Sequence, residues 1–350
     1  EDQEAIRETV REFAAERISP KALDWDQDKE FPVDVIKEAG QLGIGGVYID
    51  EALGGSGLGR FDGALIFEAL ATGCPSIAAY LSIHNMVASM IDKFGDEEQR
   101  ARWLPSLCSL EHLSSYCLTE PEAGSDAASL KTQAVRDGDH YVLNGVKQFI
   151  SGGGVSDLYI VMARTGEPGA RGISTFVVEA GTPGLSFGPN EKKMGWNAQP
   201  TAQVILDGVR VPVSNRLGAE GIGFKIAMTG LDGGRLGIAA CSLGGAQAAL
   251  DKSLAYVRER TAFGSNLGEF QSIQFTLADM ATELEGARTM LWRAAWALET
   301  GDPAATTLCA MAKRLVTDTG FDVANRALQV HGGYGYLAEY GLEKIVRDLR

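Results

Sequence analysis

One segment decides the fold of this chain: Tyr116-Cys117-Leu118-Thr119-Glu120-Pro121-Glu122-Ala123-Gly124-Ser125-Asp126. Its apolar start predicts a strand, and the Pro and Gly that follow predict a polar loop at the end of that strand. The loop presents backbone N–H groups and the hydroxyls of Thr119 and Ser125, which suit an anion or the edge of a flat, hydrogen-bonding ring. Turn chemistry alone favours an ordinary strand-end turn, so the decision depends on matching segments elsewhere in the chain.

Length and charge set the class of protein around this segment. A chain of 350 residues exceeds what one hydrophobic core usually serves, which predicts two or three domains. The formal net charge of −14 argues against a nucleic-acid partner, because affinity for phosphate backbones depends on Lys and Arg. The cysteines are odd in number and form no CxxC pair, so we expect reduced thiols rather than a disulfide scaffold or a zinc site. They are Cys74, Cys108, Cys117, Cys241 and Cys309.

The sequence contains neither a recognisable membrane segment nor a recognisable targeting segment. No stretch approaches the roughly 18 apolar residues that cross a bilayer. The nearest candidate, residues 237–250, is short and rich in Gly and Ala. No signal or transit peptide is recognisable either. We therefore expect no membrane partner, and a protein of the bacterial cytoplasm or the mitochondrial matrix.

Residues 1–115 form a predicted N-terminal helical domain. Ile6, Val10 and Phe13 recur at helical spacing and mark one buried face. The run Gly54-Gly55-Ser56-Gly57-Leu58-Gly59 lacks the spacing and the Lys of a phosphate-binding loop. We interpret it as a flexible loop between helices.

The period changes from helical to strand-like over residues 116–215, the predicted middle domain. Asp137-Gly138, Asn144-Gly145 and Asp207-Gly208 each lie between β-rich runs, and such pairs predict tight hairpins. Two continuous apolar runs predict buried strands, at residues 158–163 and 173–178.

Helices return in residues 216–350, the predicted C-terminal domain. An apolar seam steps by four and three residues, as in a helix bundle. It comprises Ile273, Leu277, Met280, Leu284, Ala287, Leu291, Ala294 and Leu298. The glycines of Asp232-Gly233-Gly234-Arg235 lie in a helical stretch, where each costs about 1 kcal/mol relative to Ala. Such glycines mark a close approach, either by another helix or by a ligand.

Two segments together resemble the signatures of the acyl-CoA dehydrogenase family. They are residues 116–126 and Gln329-Val330-His331-Gly332-Gly333-Tyr334-Gly335, in the family's order and at its spacing. The resemblance covers nearly the whole chain. It implies an N-terminal helical domain, a middle antiparallel β domain and a C-terminal four-helix bundle, with FAD as cofactor. It also implies an acyl-CoA substrate, an electron-transfer flavoprotein as electron acceptor, and a homotetramer built as a dimer of dimers.

The resemblance also implies which residues contact the cofactor. The flavin ring would lie against Tyr116, Leu118, Thr119, Gly124, Ser125, Phe149, Ile150 and Ser151. The pyrophosphate and adenine would be held by Arg260, Phe270 and Gln271, and the cofactor of a neighbouring subunit would be approached by Gln329, Val330, His331, Gly332 and Gly333. Hydroxyl and N–H groups at the ring's edge tune a flavin's electron affinity. Chemistry alone would make Phe149 a core side chain and Arg260 a solvated charge.

The substrate contacts that the resemblance implies are Ser125, Asp232, Gly233, Gly234 and Arg235. The two glycines would leave room for a branched acyl group. Tyr80–Asn85 and Gly195–Thr201 resemble the branch that converts isobutyryl-CoA to methacrylyl-CoA in valine breakdown. Alternatives are 2-methylbutyryl-CoA and butyryl-CoA, because one methylene changes selectivity by only about 10- to 200-fold. A relative that binds flavin or acyl-CoA without catalysis is a further alternative.

No residue of this chain is assigned as the catalytic base. The family removes the α-proton of the thioester with a Glu, whose pKa rises in a dry pocket. In most branches that Glu follows shortly after the segment matched here by residues 346–350, so the resemblance places it just beyond Arg350. One branch places it at the position of Gly234, and Gly cannot serve. We interpret His84 and His112 as structural or surface residues, and we find no metal-site motif and no hydrolase triad.

Overall fold

The N-terminal part of the protein is helical, as predicted, in the computed structural model, which describes residues 2–350. Its helices are α1 (Asp2–Phe13), α2 (Ala22–Asp28), α3 (Val33–Gly40), α4 (Arg60–Gly73), α5 (Pro75–Phe94) and α6 (Glu97–Cys108). Helix α5 begins at Pro75, where a missing N–H is tolerated. Helix α6 begins with a reciprocal cap, in which Asp96 and Gln99 each accept the other's backbone N–H. The glycine run at 54–59 is a loop before α4, as predicted.

The middle of the chain forms one eight-stranded sheet. Its strands are β1 (Ser114–Cys117), β2 (Gln133–Asp137), β3 (His140–Ser151), β4 (Leu158–Arg164), β5 (Ile173–Glu179), β6 (Leu185–Phe187), β7 (Thr201–Pro212) and β8 (Arg216–Leu217). The spatial order is β6-β7-β3-β2-β4-β5-β8, with β1 beside β4. The strand pairs are antiparallel, as predicted, with two exceptions: β4 runs parallel to β1 and to the end of β2, while its pairing with β5 is antiparallel. Strands β4 and β5 are the two predicted buried runs, and nearly every residue in them is buried.

Two of the three predicted hairpins are wrong. Asp137-Gly138 does connect β2 to β3, but Asn144-Gly145 lies inside β3 and Asp207-Gly208 lies inside β7. These two pairs face each other where the β3–β7 register shifts between Leu143 and Gly145. The Oδ1 of Asn144 accepts the N–H of Gly208 at 2.8 Å, and Gly145 and Gly208 have φ of +155° and +66°. The glycines therefore form a β-bulge rather than turns, because a paired strand continues on both sides of each.

The C-terminal part is again helical. Helices α7 (Gly223–Glu259), α8 (Gln271–Glu299), α9 (Ala305–Val330) and α10 (Leu342–Leu349) pack together, with a small hairpin of β9 (Thr261–Ala262) and β10 (Ser265–Asn266) between α7 and α8. The predicted seam of α8 is confirmed: all of its members are buried except Ile273 and Leu298, which are half-buried. Helix α4 also packs on α7 and α8, so the first and last helical blocks share one core.

A second core joins the sheet to the helices and positions the site. It contains Met86 and Met90 of α5, Leu118 and Ala123 after β1, and Ala227 of α7. All five cysteines are buried and unpaired. None of the helices within residues 2–350 is long and apolar enough to span a membrane.

Candidate functional site

The loop that follows β1 is anchored by a buried ion pair. The Nζ of Lys147 lies 2.8 Å from Oε1 of Glu120 and donates a second hydrogen bond to the carbonyl oxygen of Leu118, at 3.1 Å. The Glu120 carboxylate also accepts the backbone N–H groups of Lys131 and Thr132, at 2.6 and 2.9 Å. The Lys147 and Glu120 side chains are 0% and 7% exposed, so solvent ions screen the pair weakly.

Burial and charge act in opposite directions on the ionisation of this pair. Burial raises the pKa of Glu120, but the charge and hydrogen bond of Lys147, together with the hydrogen bonds of Thr132 and Lys131, outweigh burial, so the pKa of the carboxyl lies below its ordinary value. Burial lowers the pKa of Lys147 against the attraction of Glu120. The start of the loop is therefore held by a hydrogen-bonded ionic contact as well as by packing.

Phe149 lies in a second β-bulge, two residues beyond Lys147. The β3–β7 register shifts between Lys147 and Ile150, and the N–H of Gln148 donates to the carbonyl oxygen of Thr119 at 2.8 Å. Phe149 has a φ of +60°, which is strained for a residue with a Cβ. The residue is 62% exposed, so the alternative interpretation of Phe149 as a core residue is wrong.

The middle of the loop, at Gly124 and Ser125, is open. Leu118 is buried and Tyr116 and Thr119 are half-buried, whereas Gly124 and Ser125 are exposed. A Cβ built on Gly124 would have no neighbour within 4 Å, and its φ lies outside the left-handed region. Within residues 2–350, neither packing nor backbone conformation explains a glycine at this position.

Asp232 and Arg235 form an ion pair one turn apart on α7. Their Oδ1 and Nη1 atoms lie 2.5 Å apart, and the hydroxyl of Thr306 on α9 donates to the other carboxylate oxygen of Asp232 at 2.8 Å. The hydroxyl of Tyr116 donates to the carbonyl oxygen of Ala227, five residues before Asp232, at 3.5 Å. Because an α-helix rises about 1.5 Å per residue, Ala227 and Asp232 lie about 8 Å apart along α7. The fold thus brings the predicted substrate segment beside the first predicted cofactor strand.

The glycines of this segment allow side chains of two other helices to approach α7. A Cβ on Gly233 would lie 2.8 Å from Nη1 of Arg60 on α4, and a Cβ on Gly234 would lie 3.0 Å from Sδ of Met86 on α5. Both neighbours are the far ends of flexible side chains. These glycines were predicted to mark a close approach by another helix or by a ligand. Within the protein, side chains of α4 and α5 make that approach.

A cavity of about 480 Å³ brings Arg260 together with the second signature. The lining residues that matter here are Arg260 and Gln329–Gly333, and the Arg260 guanidinium lies 5.1 Å from the centre of the Tyr334 ring. A Cβ on Gly333 would have no neighbour within 4 Å, so glycine at this position leaves open space. Phe270 and Gln271 do not line this cavity; Phe270 packs edge-on against the exposed Phe263 at the start of α8.

His331 has a structural role in this cavity wall. Its ring stacks on Tyr256 with centroids 4.2 Å apart, and its Nδ1 lies 2.8 Å from the carbonyl oxygen of Ala327. Burial lowers the pKa of His331, which keeps the ring neutral near pH 7.

Another cavity, of about 670 Å³, lies elsewhere. Trp196, Ser242, Phe321 and Arg350 are among the residues around it. None of the predicted cofactor or substrate residues lines it.

Comparison with known proteins gives the family of this chain. Three family models match it in order: the acyl-CoA dehydrogenase N-terminal domain over residues 1–111, the middle domain over 115–209 and the C-terminal domain over 221–350. The chain is 55% identical to a Bos taurus protein named "Isobutyryl-CoA dehydrogenase, mitochondrial", over 100% of this chain and 84% of that one. The chain belongs to the acyl-CoA dehydrogenase family.

Two further comparisons agree with this acyl-CoA dehydrogenase assignment. A Dictyostelium discoideum protein of the same name is 53% identical over 100% of this chain and 84% of its own. A structure solved in a study of the electron transferring flavoprotein of Acidaminococcus fermentans superposes with a TM-score of 0.97, at 40% identity, covering 100% of this chain and 92% of the solved chain. As an acyl-CoA dehydrogenase, the protein is a flavin-dependent oxidoreductase that acts on an acyl-CoA. The predicted three-part fold is thereby confirmed.

The local structure of this acyl-CoA dehydrogenase fits a flavin. Phe149 offers an exposed aromatic ring in a strained conformation, and such strain concentrates at functional sites. Gly124 and Gly333 leave open space that nothing in residues 2–350 fills. Arg260 supplies an exposed cation in the cavity that Gly333 also lines, and a pyrophosphate requires such a cation.

The ion pair of Glu120 and Lys147 is the part of the site that sequence reasoning missed. Glu120 lies within the quoted signature, but its buried partner is 27 residues away. A Lys in an otherwise apolar or alternating strand was the available signal, since a buried Lys needs a partner. Thr306, which holds Asp232, has no comparable signal in the sequence.

Proposed function

We propose that this protein catalyses the FAD-dependent α,β-dehydrogenation of a short branched acyl-CoA, converting isobutyryl-CoA to methacrylyl-CoA in valine breakdown. The observation that carries the proposal is the 55% identity to the bovine isobutyryl-CoA dehydrogenase over the entire chain. Gly233 and Gly234 support it, because their nearest neighbours are flexible side-chain ends that can yield to a branched acyl group.

We assign the flavin ring to the region between the loop that follows β1 and the end of β3, which meet at Lys147. Tyr116, Leu118, Thr119, Gly124 and Ser125 would border the ring on one side, and Phe149, Ile150 and Ser151 on the other. When bound, the flavin supplies the acceptor for the hydride leaving the acyl chain. The pyrophosphate and adenine are assigned to a separate region, formed by Arg260, Phe270, Gln271 and the segment Gln329–Gly333.

The substrate end of the proposed site is assigned to Ser125 and to Asp232–Arg235. Asp232 is not proposed as the base that takes the α-proton, because Arg235 and Thr306 already occupy its two carboxylate oxygens. Arg235 would contribute positive charge near the thioester, where negative charge develops during proton removal.

We further propose an electron-transfer flavoprotein as the electron acceptor and a homotetramer as the working assembly. The first is supported by the solved relative from the study of such a flavoprotein. The homotetramer is supported by the lining of the Arg260 cavity, which includes none of the assigned ring contacts. Domain boundaries near residues 115 and 215 are part of the same proposal.

The decisive experiment mixes the full-length, FAD-loaded protein anaerobically with isobutyryl-CoA and follows the visible absorbance of the flavin. Rapid bleaching with isobutyryl-CoA, and slower bleaching with butyryl-CoA and 2-methylbutyryl-CoA, is the expected result. Faster bleaching by butyryl-CoA or 2-methylbutyryl-CoA would assign that compound as the substrate instead. A yellow protein that none of the three bleaches would indicate a flavin-binding relative without this chemistry, and a protein that takes up no FAD would overturn the proposal.

A further inference from the structure

The bulge in β3 depends on the signature loop for its hydrogen bonds. At this bulge the backbone N–H of Gln148 pairs with Thr119 rather than with β7. The Gln148 side chain is held as well, since it donates to Glu191 and accepts from Gln203, each at 2.7 Å. The exposed ring of Phe149 is therefore presented by a strand whose shape is completed by a loop nearly thirty residues earlier in the chain.

Lys147 fastens the loop to the strand at this point. Its ammonium group bonds to the Leu118 carbonyl and the Glu120 carboxylate on either side of Thr119, the residue that accepts from Gln148. Glu120 in turn accepts two backbone N–H groups from residues 131 and 132, at the far end of the loop. One ion pair thus ties together both ends of the loop and the strand that carries Phe149.

We propose that Lys147 and Glu120 are positioning residues for the flavin ring, which set cofactor affinity and reduction potential by fixing the loop at 118–125 against Phe149–Ser151. The inference rests on the proposed placement of the flavin ring between these segments. Neither side chain need touch the cofactor. Their effect acts through the backbone N–H groups and the aromatic ring that the pair holds in register.

The test compares Lys147→Met, Glu120→Gln and the double variant, each prepared as apoprotein and reconstituted with FAD. Either single change leaves a buried group without its partner, so both the thermal midpoint of the apoprotein and FAD affinity should fall. In the double variant the charge imbalance is gone and the thermal midpoint should largely recover. FAD affinity should stay at least about tenfold weaker, and the bound flavin's reduction potential should differ from that of the original protein, because the loop is no longer fastened.

The matched control is Lys131→Met, which removes the exposed ion pair of Lys131 with Glu122 on the same loop and should change neither quantity. The double variant can also recover FAD affinity and reduction potential along with its thermal midpoint. That result would show that the pair is only structural and would overturn the inference. Because these readouts need no acyl-CoA, a protein that binds FAD but fails to oxidise isobutyryl-CoA would refute the proposed reaction and leave this test intact.

Discussion

Phe149 has a strained backbone and an exposed side chain. Its effect on FAD binding can therefore be measured separately from its effect on stability. Its φ of +60° costs roughly 1–2 kcal/mol in a residue with a Cβ, and the residue is 62% exposed, so its ring contributes little to the core. We predict that Phe149→Gly gives an apoprotein more stable than Phe149→Ala by about 1 kcal/mol. Both variants should bind FAD more weakly than the original protein, because both lose the ring.

Chemical denaturation and FAD titration measure these two effects independently. Val135→Ala is the control, since Val135 is a comparably exposed apolar residue of the same sheet at 58%. It should leave FAD affinity unchanged. Equal stability of the Gly and Ala variants would show that the backbone at 149 is unstrained, and unaltered FAD affinity would remove Phe149 from the proposed site.

At the scale of elements, helix α5 is joined to the sheet through a buried neutral histidine. The Nε2 of His84 lies 2.9 Å from the carbonyl oxygen of Leu107, and its Nδ1 lies 3.2 Å from the backbone nitrogen of Ser114 on β1. The Nδ1 must therefore accept the Ser114 N–H, which leaves no place for a second proton. Burial lowers the pKa of His84 from 6.5 to about 4.

This lowered pKa predicts an acid-dependent loss of stability. Between about pH 6.5 and pH 4 the unfolded chain binds a proton at His84 and the folded protein does not, so the free energy of unfolding falls as the pH falls. The loss attributable to this residue is on the order of 3 kcal/mol across that window. Denaturation at a series of pH values should show His84→Gln with a flatter profile. The exposed His112→Gln should retain the original slope, and an unchanged slope in His84→Gln would contradict the prediction.

The bundle gives a second prediction at this scale. Leu284 is 1% exposed in the α8 seam, whereas Leu315 on α9 is 46% exposed. Leu284→Ala should cost about 2–5 kcal/mol of unfolding free energy because it leaves a cavity in the shared core. Leu315→Ala, the same chemical change on a surface, should cost within about 0.5 kcal/mol in the isolated subunit. Similar losses of unfolding free energy for both variants would mean that another subunit covers Leu315. Light scattering would then show a different particle mass for Leu315→Ala than for the original protein.

At the scale of the whole molecule, the proposed cofactor contacts fall into two groups. One group surrounds the bulge at Phe149, and the other lines the cavity that holds Arg260 and Gln329–Gly333. If two subunits contribute the two groups to each site, variants in different groups should complement each other. We predict that co-assembled Phe149→Ala and Arg260→Ala subunits regain FAD binding in up to about a quarter of their sites, as random pairing in a symmetric dimer allows.

Each variant assembled alone supplies the baseline for this experiment. Mixed oligomers of Phe149→Ala with the original protein control for simple dilution of the defect. Binding in the co-assembled variants no higher than the mean of the two homomers would show that one chain supplies both groups, and would remove the shared-site part of the proposal.

The sequence by itself determined the family, the order of helical and β blocks, and the buried seam of α8. These features are local, since they depend on short motifs and on periodicity within one element. Only the tertiary structure decided what the Asn144-Gly145 and Asp207-Gly208 pairs do. A residue pair suited to positive φ forms a bulge where the neighbouring strand continues past it, and a hairpin where that strand does not. The neighbouring strand is distant in sequence, as β7 is from β3.

The same reason explains the candidate site. The motif residues 116–126 could be recognised from their letters, but the exposure of Phe149 follows from a register shift against β7. The pairing of Glu120 with Lys147 and the meeting of Arg260 with Gly333 join residues far apart in the chain. Such contacts form only when the sheet and the bundle have packed, because burial is what makes an isolated charge require its partner.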